Sequence, residues 1–231
     1  METNPSIETF IKEQIEKWKN KTQTHVPVIT ISSEPGSGGR VIAQGLAEKL
    51  DIDLFDRDIV REIAESAHIS SAVIETMEKE RLSGVQDFIS SLVNDRYLWP
   101  GVYLDHLMKV VAAIASHGNG VIVGRGANFL IPSKDRLSIR VIASLETRMK
   151  NVAKEFGVSP EEAKRRVIHR ESRRSAFIRQ SFNADVADPH NYDLVINTEK
   201  LSIDAALGAV VGMVAGGKDM VIKISEAPKA K

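Results

Sequence analysis

Residues 26–50 read VPVITISSEPGSGGRVIAQGLAEKL, and this one stretch decides the fold class. Val26 to Ile31 is short and β-branched, the composition of a strand buried on both faces. From Gly38 to Leu50 the apolar residues Ile42, Leu46 and Leu50 recur every fourth position with Gly45 beside them, which predicts a helix able to lie close against a sheet. Between the two lie Gly36, Gly38 and Gly39. A buried strand, a glycine turn and a helix in that order let backbone N–H groups converge on an anion at the positive end of the helix dipole, so the expectation is a phosphate cradle.

Two glycine fingerprints can be laid on the turn, and neither fits whole. In the pattern GxxxxGK[ST], Gly38 is the second glycine, but Ser33 replaces the first, Gly39 replaces the lysine and Arg40 replaces the hydroxyl that would hold magnesium. Gly39→Lys is therefore the substitution that would rebuild the loop lysine. In the dinucleotide pattern GxGxxG, Gly36 and Gly38 fit, Val41 stands at the third glycine, and Asp56 could serve as the ribose acid. This second reading stays open beside the first.

The rest of the chain alternates as a parallel α/β sheet requires. Ile52–Phe55 reads as a second strand ending in Asp56-Arg57-Asp58, with a helix from Ile59 to Ala67. A mixed stretch from Ser70 to Pro100 reads as an inserted helical segment, and Leu104, Leu107, Met108, Val111 and Ile114 form one face of a helix stopped at Gly118. Val121–Val123 is a strand ending in Gly124-Arg125-Gly126, Leu137–Ala143 another, followed by a helix over 145–156. Ser159-Pro160-Glu161-Glu162 is a capping box that opens a new helix. Tyr192–Asn197 gives the last core strand, Ser202 caps a helix with Ile203, Leu207 and Val214 on its face, and Met220–Ile224 suggests a short edge strand in the tail. Residues 7–18 place Ile7, Phe10, Ile11, Ile15 and Trp18 at helical spacing, an amphipathic helix expected to cap the core. The resulting division is an N-terminal helix and linker over 1–25, one domain over 26–216 and a tail over 217–231.

Lysine plus arginine and aspartate plus glutamate both number 31, so no overall field recruits nucleic acid or an anionic membrane. The charge is nevertheless uneven. Between Lys164 and Arg179 stand Lys164, Arg165, Arg166, Arg170, Arg173, Arg174 and Arg179 against Glu171 alone, which calls for an anionic ligand, a solvated helix face or a nucleic-acid footprint. With only Phe177 and Phe182 as nearby aromatics, nucleic acid is not the expected partner. The absence of cysteine excludes disulfides, thiolate metal sites and cysteine nucleophiles, and the charged first residues lack the apolar run of a secretory leader, so a cytoplasmic setting without a membrane partner is expected. The histidines show no metal-ligand spacing, and oligomeric state is not encoded in any motif.

Taken in order, ITISSEPGSGGRVIAQGLAEKL, FDRDIV, VIVGRGANFL and NYDLVINTEKL resemble the cytidylate kinase-like family of P-loop proteins over about residues 27–212. Members of that group typically carry the GSGG form of the loop in place of GSGK. The resemblance implies a three-layer P-loop NTPase fold with a central parallel sheet, a helical acceptor-binding insertion at 57–118 and a basic lid at 155–190. It implies ATP and Mg2+ as cofactors and phosphoryl transfer to a small phosphorylated acceptor, most simply a nucleoside monophosphate such as CMP. Gly36, Ser37, Gly38, Gly39 and Arg40 would hold the donor phosphates, with Arg40 the nearest cation to replace the lysine. Asp56 and Arg57 lie where the acceptor segment of such kinases begins. Arg125 matches the arginine of their Gly-Arg-Asp element, and Gly126 stands where its aspartate would be. Arg170 and Arg174 are the residues expected to close over the phosphates, with Ser32, Ser33, Ser37 and Asp56 as candidates near magnesium. A nucleotide-binding sensor or pseudokinase without transfer, or a kinase for another small acceptor, are the alternatives that the missing lysine leaves open.

Overall fold

A computed structural model describes residues 5–19, 26–77 and 102–216. The elements are α1 (Pro5–Lys19), β1 (Val28–Ser33), α2 (Gly39–Leu50), β2 (Asp53–Phe55), α3 (Arg57–Glu65), α4 (Ala67–Ile74), α5 (Val102–His117), β3 (Gly120–Val123), α6 (Ala127–Leu130), β4 (Arg136–Ile142), α7 (Leu145–Phe156), α8 (Pro160–Phe182), β5 (Leu194–Asn197) and α9 (Ile203–Ala215). The five strands form one parallel sheet in the order β2-β3-β1-β4-β5. Central β1 places Ile29 opposite both Val121 and Leu137.

Strand alternation sorts side chains into two cores. Ile29 and Ile31 of β1 with Leu137, Ile139 and Val141 of β4 meet Ile42 and Leu46 of α2 and Leu207 and Val210 of α9. On the other face, Val28, Phe55 and Ile122 pack with Val60 and Ile63 of α3, Leu107, Val111 and Ile114 of α5, and Ile178 and Phe182 at the end of α8. The result is three layers around a parallel sheet, as the alternation predicts, and it is the P-loop NTPase fold that the family resemblance implies. The second core also receives α1: Trp18 stacks on His117 at 4.4 Å, and Gln14 donates from Nε2 to Asp53 Oδ1 at 2.9 Å. The N-terminal helix therefore caps the core, as its apolar face predicts, and the structure sets it on the core of its own chain, which the apolar face alone does not decide.

The element edges carry information. β1 runs on to Ser33, two residues past the β-branched run, because Ser32 and Ser33 pair with Arg140 and Val141. The helix expected over 59–67 begins at Arg57, capped by Asp56 Oδ1, and breaks at Ser66, whose hydroxyl caps α4. Tyr192 and Asp193 precede β5 rather than forming it. Ser159 accepts from the Glu162 amide at 3.2 Å, but the Glu162 carboxylate turns to Arg165 and Arg166, so only half of the expected capping box forms. The tail strand at 220–224 and residues 78–100 of the mixed stretch lie outside the described residues. Among the described residues no helix is long and apolar enough to cross a membrane.

Candidate functional site

The glycine loop sits at the carboxyl end of β1 and is strapped from several sides. Gly36 has φ +83°, and a Cβ there would stand 2.5 Å from the Arg148 carbonyl oxygen, so the position takes glycine on both counts. The Gly36 carbonyl accepts from Asn151 Nδ2 at 2.8 Å and the Ser37 carbonyl from Thr198 Oγ1 at 2.8 Å. Ser37 is buried, with its hydroxyl 2.9 Å from the Glu34 carbonyl and 3.0 Å from that of Val141. Loop carbonyls and the serine hydroxyl are thus occupied by the scaffold, which turns them away from the cradle. Gly38 caps α2 in the left-handed conformation, and the first amides of that helix have no partner within it. This leaves a rigid set of N–H donors at a helix N-terminus, an anion site by chemistry.

Two departures from the lysine-bearing loop pattern turn out to be one. A Cβ on Gly39 would stand 2.3 Å from Ser33 Cβ and 2.6 Å from Ser33 Oγ. The serine that replaces the pattern's first glycine fills the room beside the residue that replaces its lysine.

Arginines supply the positive charge instead. Arg40 is exposed, its side chain 69% accessible, and reaches Asp56 Oδ2 at 3.5 Å. Asp56 itself is engaged as the cap of α3, accepting from the amides of Asp58 and Ile59 on Oδ1. Arg57 begins α3, and its carbonyl accepts from Arg125 Nε at 3.3 Å and Nη2 at 3.1 Å, so the structure brings these two predicted residues together. Arg125 has φ +55° between two glycines that are also left-handed, a conformation that costs a side-chain-bearing residue about 1–2 kcal/mol. Arg174 Nη1 donates to the carbonyl of Ser33, at the root of the loop. Burial, then the positive charges of Arg57, Arg140 and Arg170, push its pKa down to about 10, with only Glu171 opposing. Arg170, one turn away, is exposed and lies with its guanidinium 5.1 Å over the Phe156 ring.

Two arginines were not visible as site residues from the sequence. Arg148 is buried and joins Glu34 of the loop, at 3.4 Å, to Glu171 of α8, at 3.2 Å, which ties the basic helix to the cradle. Arg140 is also buried, in the middle of β4, and donates from Nη1 to Ser32 Oγ at 2.8 Å. The one signal for Arg140 is a charge inside the strand-like run Leu137–Ala143. Much of the remaining basic stretch is solvated: Arg165 and Arg166 are held by Glu162, whose carboxyl their hydrogen bonds keep below the ordinary glutamate range.

For a divalent metal the described residues offer little. Among the described residues no group of three His, Cys, Asp or Glu could hold an ion. Ser37 is spent on carbonyls, and Ser32 Oγ lies 2.8 Å from Arg140 Nη1 and 3.3 Å from the Tyr192 hydroxyl. A magnesium ion here would be carried chiefly by phosphate oxygens and water, the way that ion is usually held at phosphates, with Asp56 as the nearest acid to the loop cation.

Comparison with known proteins agrees with this geometry. Residues 28–200 match the model of the cytidylate kinase-like family. The chain is 30% identical over 187 residues to a cytidylate kinase of Methanopyrus kandleri, covering 77% of this chain and 87% of that protein. It is 29% identical over 188 residues to a cytidylate kinase of Methanothrix thermoacetophila, covering 79% and 97%. Among solved structures, an uncharacterized protein from Eubacterium ventriosum shares the fold at a TM-score of 0.65 and 20% identity, over 83% of this chain and 99% of that one.

Proposed function

The chain belongs to the cytidylate kinase-like family, and we propose that it transfers a phosphoryl group from ATP, with Mg2+, to a small phosphorylated acceptor, most simply a nucleoside monophosphate such as CMP. What carries this reading is one juxtaposition: a strapped glycine loop of free helix-start amides, with Arg174 bonded to its root and Arg57 and Arg125 joined across the strand ends. Phosphoryl transfer needs little covalent help and much fixed positive charge, so positioning and charge neutralisation are the chemistry.

In this reading the loop Gly36–Arg40 holds the donor phosphates through the amides of Gly36, Gly38, Gly39 and Arg40, the Ser37 amide being turned to the Glu34 carbonyl, and Arg40 adds an exposed cation at their edge. Arg57 and Arg125 receive the acceptor phosphate, and α3, α4 and α5 form its wall. The basic segment at 155–190 acts as the lid, with Arg174 beneath it against the transferring group and Arg170 closer to solvent. Magnesium supplies charge neutralisation on the nucleotide. No side chain needs to take a proton, because the acceptor phosphate is already anionic. The dinucleotide alternative loses support from the family match.

A second reading is favoured by one observation, the filled space beside Gly39: a nucleotide-binding sensor that keeps the cradle without transfer. ADP release from ATP and Mg2+ across a panel of nucleoside monophosphates separates the two, with Arg40→Ala and Gly36→Ala as controls. Turnover with CMP or another monophosphate, lost in Gly36→Ala, is the expected result. ATP binding with no turnover for any acceptor would overturn the kinase reading.

A further inference from the structure

Pairing of β1 with β4 sets Thr30 opposite Ser138 and Ser32 opposite Arg140. These four alternate with the isoleucines and valines of the α2/α9 core, so they share the opposite face of the sheet, the one against which α5 and the end of α8 pack. Thr30, Ser138 and Arg140 are at most 6% exposed, a polar column inside an apolar layer. Thr30 Oγ1, Ser138 Oγ and Arg140 Nε have no hydrogen-bond partner. Buried polar atoms are almost always satisfied, and an orphaned guanidinium nitrogen is among the more expensive exceptions.

The charge balance points the same way. Among the described residues neither Arg140 nor Arg174 has a carboxylate within ion-pair distance; their polar partners are Ser32 Oγ and the Ser33 carbonyl, on adjacent residues of β1. The Tyr192 hydroxyl, donating to the Val186 carbonyl at 2.9 Å, fixes the aromatic wall over which Arg140 lies at 5.8 Å. Two guanidiniums thus converge on one strand end with no carboxylate within ion-pair distance, Glu171 acting on Arg174 only from farther away, and one of them keeps a spare N–H, which is the chemistry an anion receptor needs. Arg140 lies on the α5/α8 face of the sheet, whereas α2, whose first amides form the cradle, packs on the opposite face; Arg174, bonded to the Ser33 carbonyl at the root of the loop, is common to both.

We propose that Arg140, with Ser32 and Arg174, forms an anion subsite on the α5/α8 face and thereby restricts the acceptor to molecules carrying a phosphate. This rests on the kinase reading for the identity of the ligand as acceptor, but the subsite itself does not. Arg140 is then a binding residue held at a cost to the stability of the free protein.

The test uses the full chain with Arg140→Met, which keeps bulk and removes charge, and Arg140→Lys. Urea denaturation is followed with and without inorganic phosphate, and KM is measured for CMP and for ATP. The free Arg140→Met protein is expected to unfold at or above the wild-type midpoint, since an apolar isostere removes an unsatisfied buried charge. Phosphate is expected to raise the midpoint less in Arg140→Met than in wild type, the amide cradle contributing the same increment to both. KM for CMP is expected to rise about 10- to 100-fold, the range for losing a hydrogen bond to a charged group, while KM for ATP stays within about threefold. A destabilised Arg140→Met with an undiminished phosphate increment, or an equal rise of both KM values, would overturn the proposal. Should Arg140→Met not fold, Arg140→Lys decides: a reduced phosphate increment supports the subsite and a wild-type increment overturns it. If no monophosphate is turned over yet the phosphate increment depends on Arg140, the kinase reading fails and the subsite stands.

Discussion

Restoring the loop lysine by Gly39→Lys alone should damage the protein. The new Cβ would lie 2.3 Å from Ser33 Cβ, where real contacts of this kind begin near 3.0 Å. Neither partner can yield easily, because Ser33 is paired to Val141 in the sheet and its carbonyl is held by Arg174, while position 39 starts α2. Overpacking of this size costs about 1–3 kcal/mol, and the gain from replacing a helical glycine is under about 1 kcal/mol, so the clash wins. At roughly 2–4 °C per kcal/mol for a chain of this size, the melting temperature should fall by several degrees. Ser33→Gly empties the space, so Ser33→Gly/Gly39→Lys should melt above Gly39→Lys, with a coupling energy of about 1–3 kcal/mol in the double-mutant cycle. Thermal denaturation and ADP release on all four proteins make the check. Turnover should not rise in Gly39→Lys, and any gain should require the pair. A Gly39→Lys protein as stable as wild type, with additive effects in the double variant, would refute the view that the two positions exchange one volume.

Gly126→Ala should lower stability by about 2–3 kcal/mol in chemical denaturation, because its Cβ would fall 2.2 Å from the Phe182 ring at a φ of +68°. Arg125→Gly should unfold no earlier than wild type despite losing its hydrogen bonds to the Arg57 carbonyl, since it relieves the left-handed strain, while its KM for the acceptor rises in the ADP-release assay. Glu162 has its carboxyl lowered by hydrogen bonds from Arg166 and then Arg165, so its contribution is present above the ordinary glutamate range and is lost as pH falls through the lowered value. Stability of Glu162→Gln should therefore lie below wild type near neutrality and converge with it in acid, read from melting curves between pH 2 and pH 7.

The parallel sheet and the loop were legible because their signals are local. β-branched runs, glycine clusters and serine N-caps act over a few residues, and Gly36, Gly38, Ser159 and Ser202 all stand where such rules put them. Arg57, Arg125 and Arg174 were found as strand-end or basic-segment arginines, although their contacts join residues far apart in the chain. What stayed hidden depends on sheet register. Arg140 becomes meaningful only once β4 is set beside β1 so that it meets Ser32, and Arg148 only once α7 brings it between Glu34 and Glu171. The serine–glycine exchange at 33 and 39 was likewise read as two separate losses, because a one-dimensional pattern does not show that the two positions share a volume.

Helix α8 is one unbroken span of 23 residues, about 34 Å long at the usual rise, with aromatic packing at its C-terminal end and polar ties from Glu171 and Arg174 to the loop midway along it. Phe182 stacks on Phe129 at 5.3 Å, meets Phe177 edge-on at 6.0 Å, and covers Gly126. The opposite end rests with α7 in a small apolar cluster of its own, around Val152, Ala163 and Val167. Mechanically this is a beam with an aromatic bearing. A tilt of about 10° at the bearing carries the far end through about 6 Å, so nearly imperceptible play at Phe182 becomes a displacement as long as an arginine side chain. The bearing abuts the residue next to Arg125, which gives the strand-end arginine and the remote basic tip a common pivot.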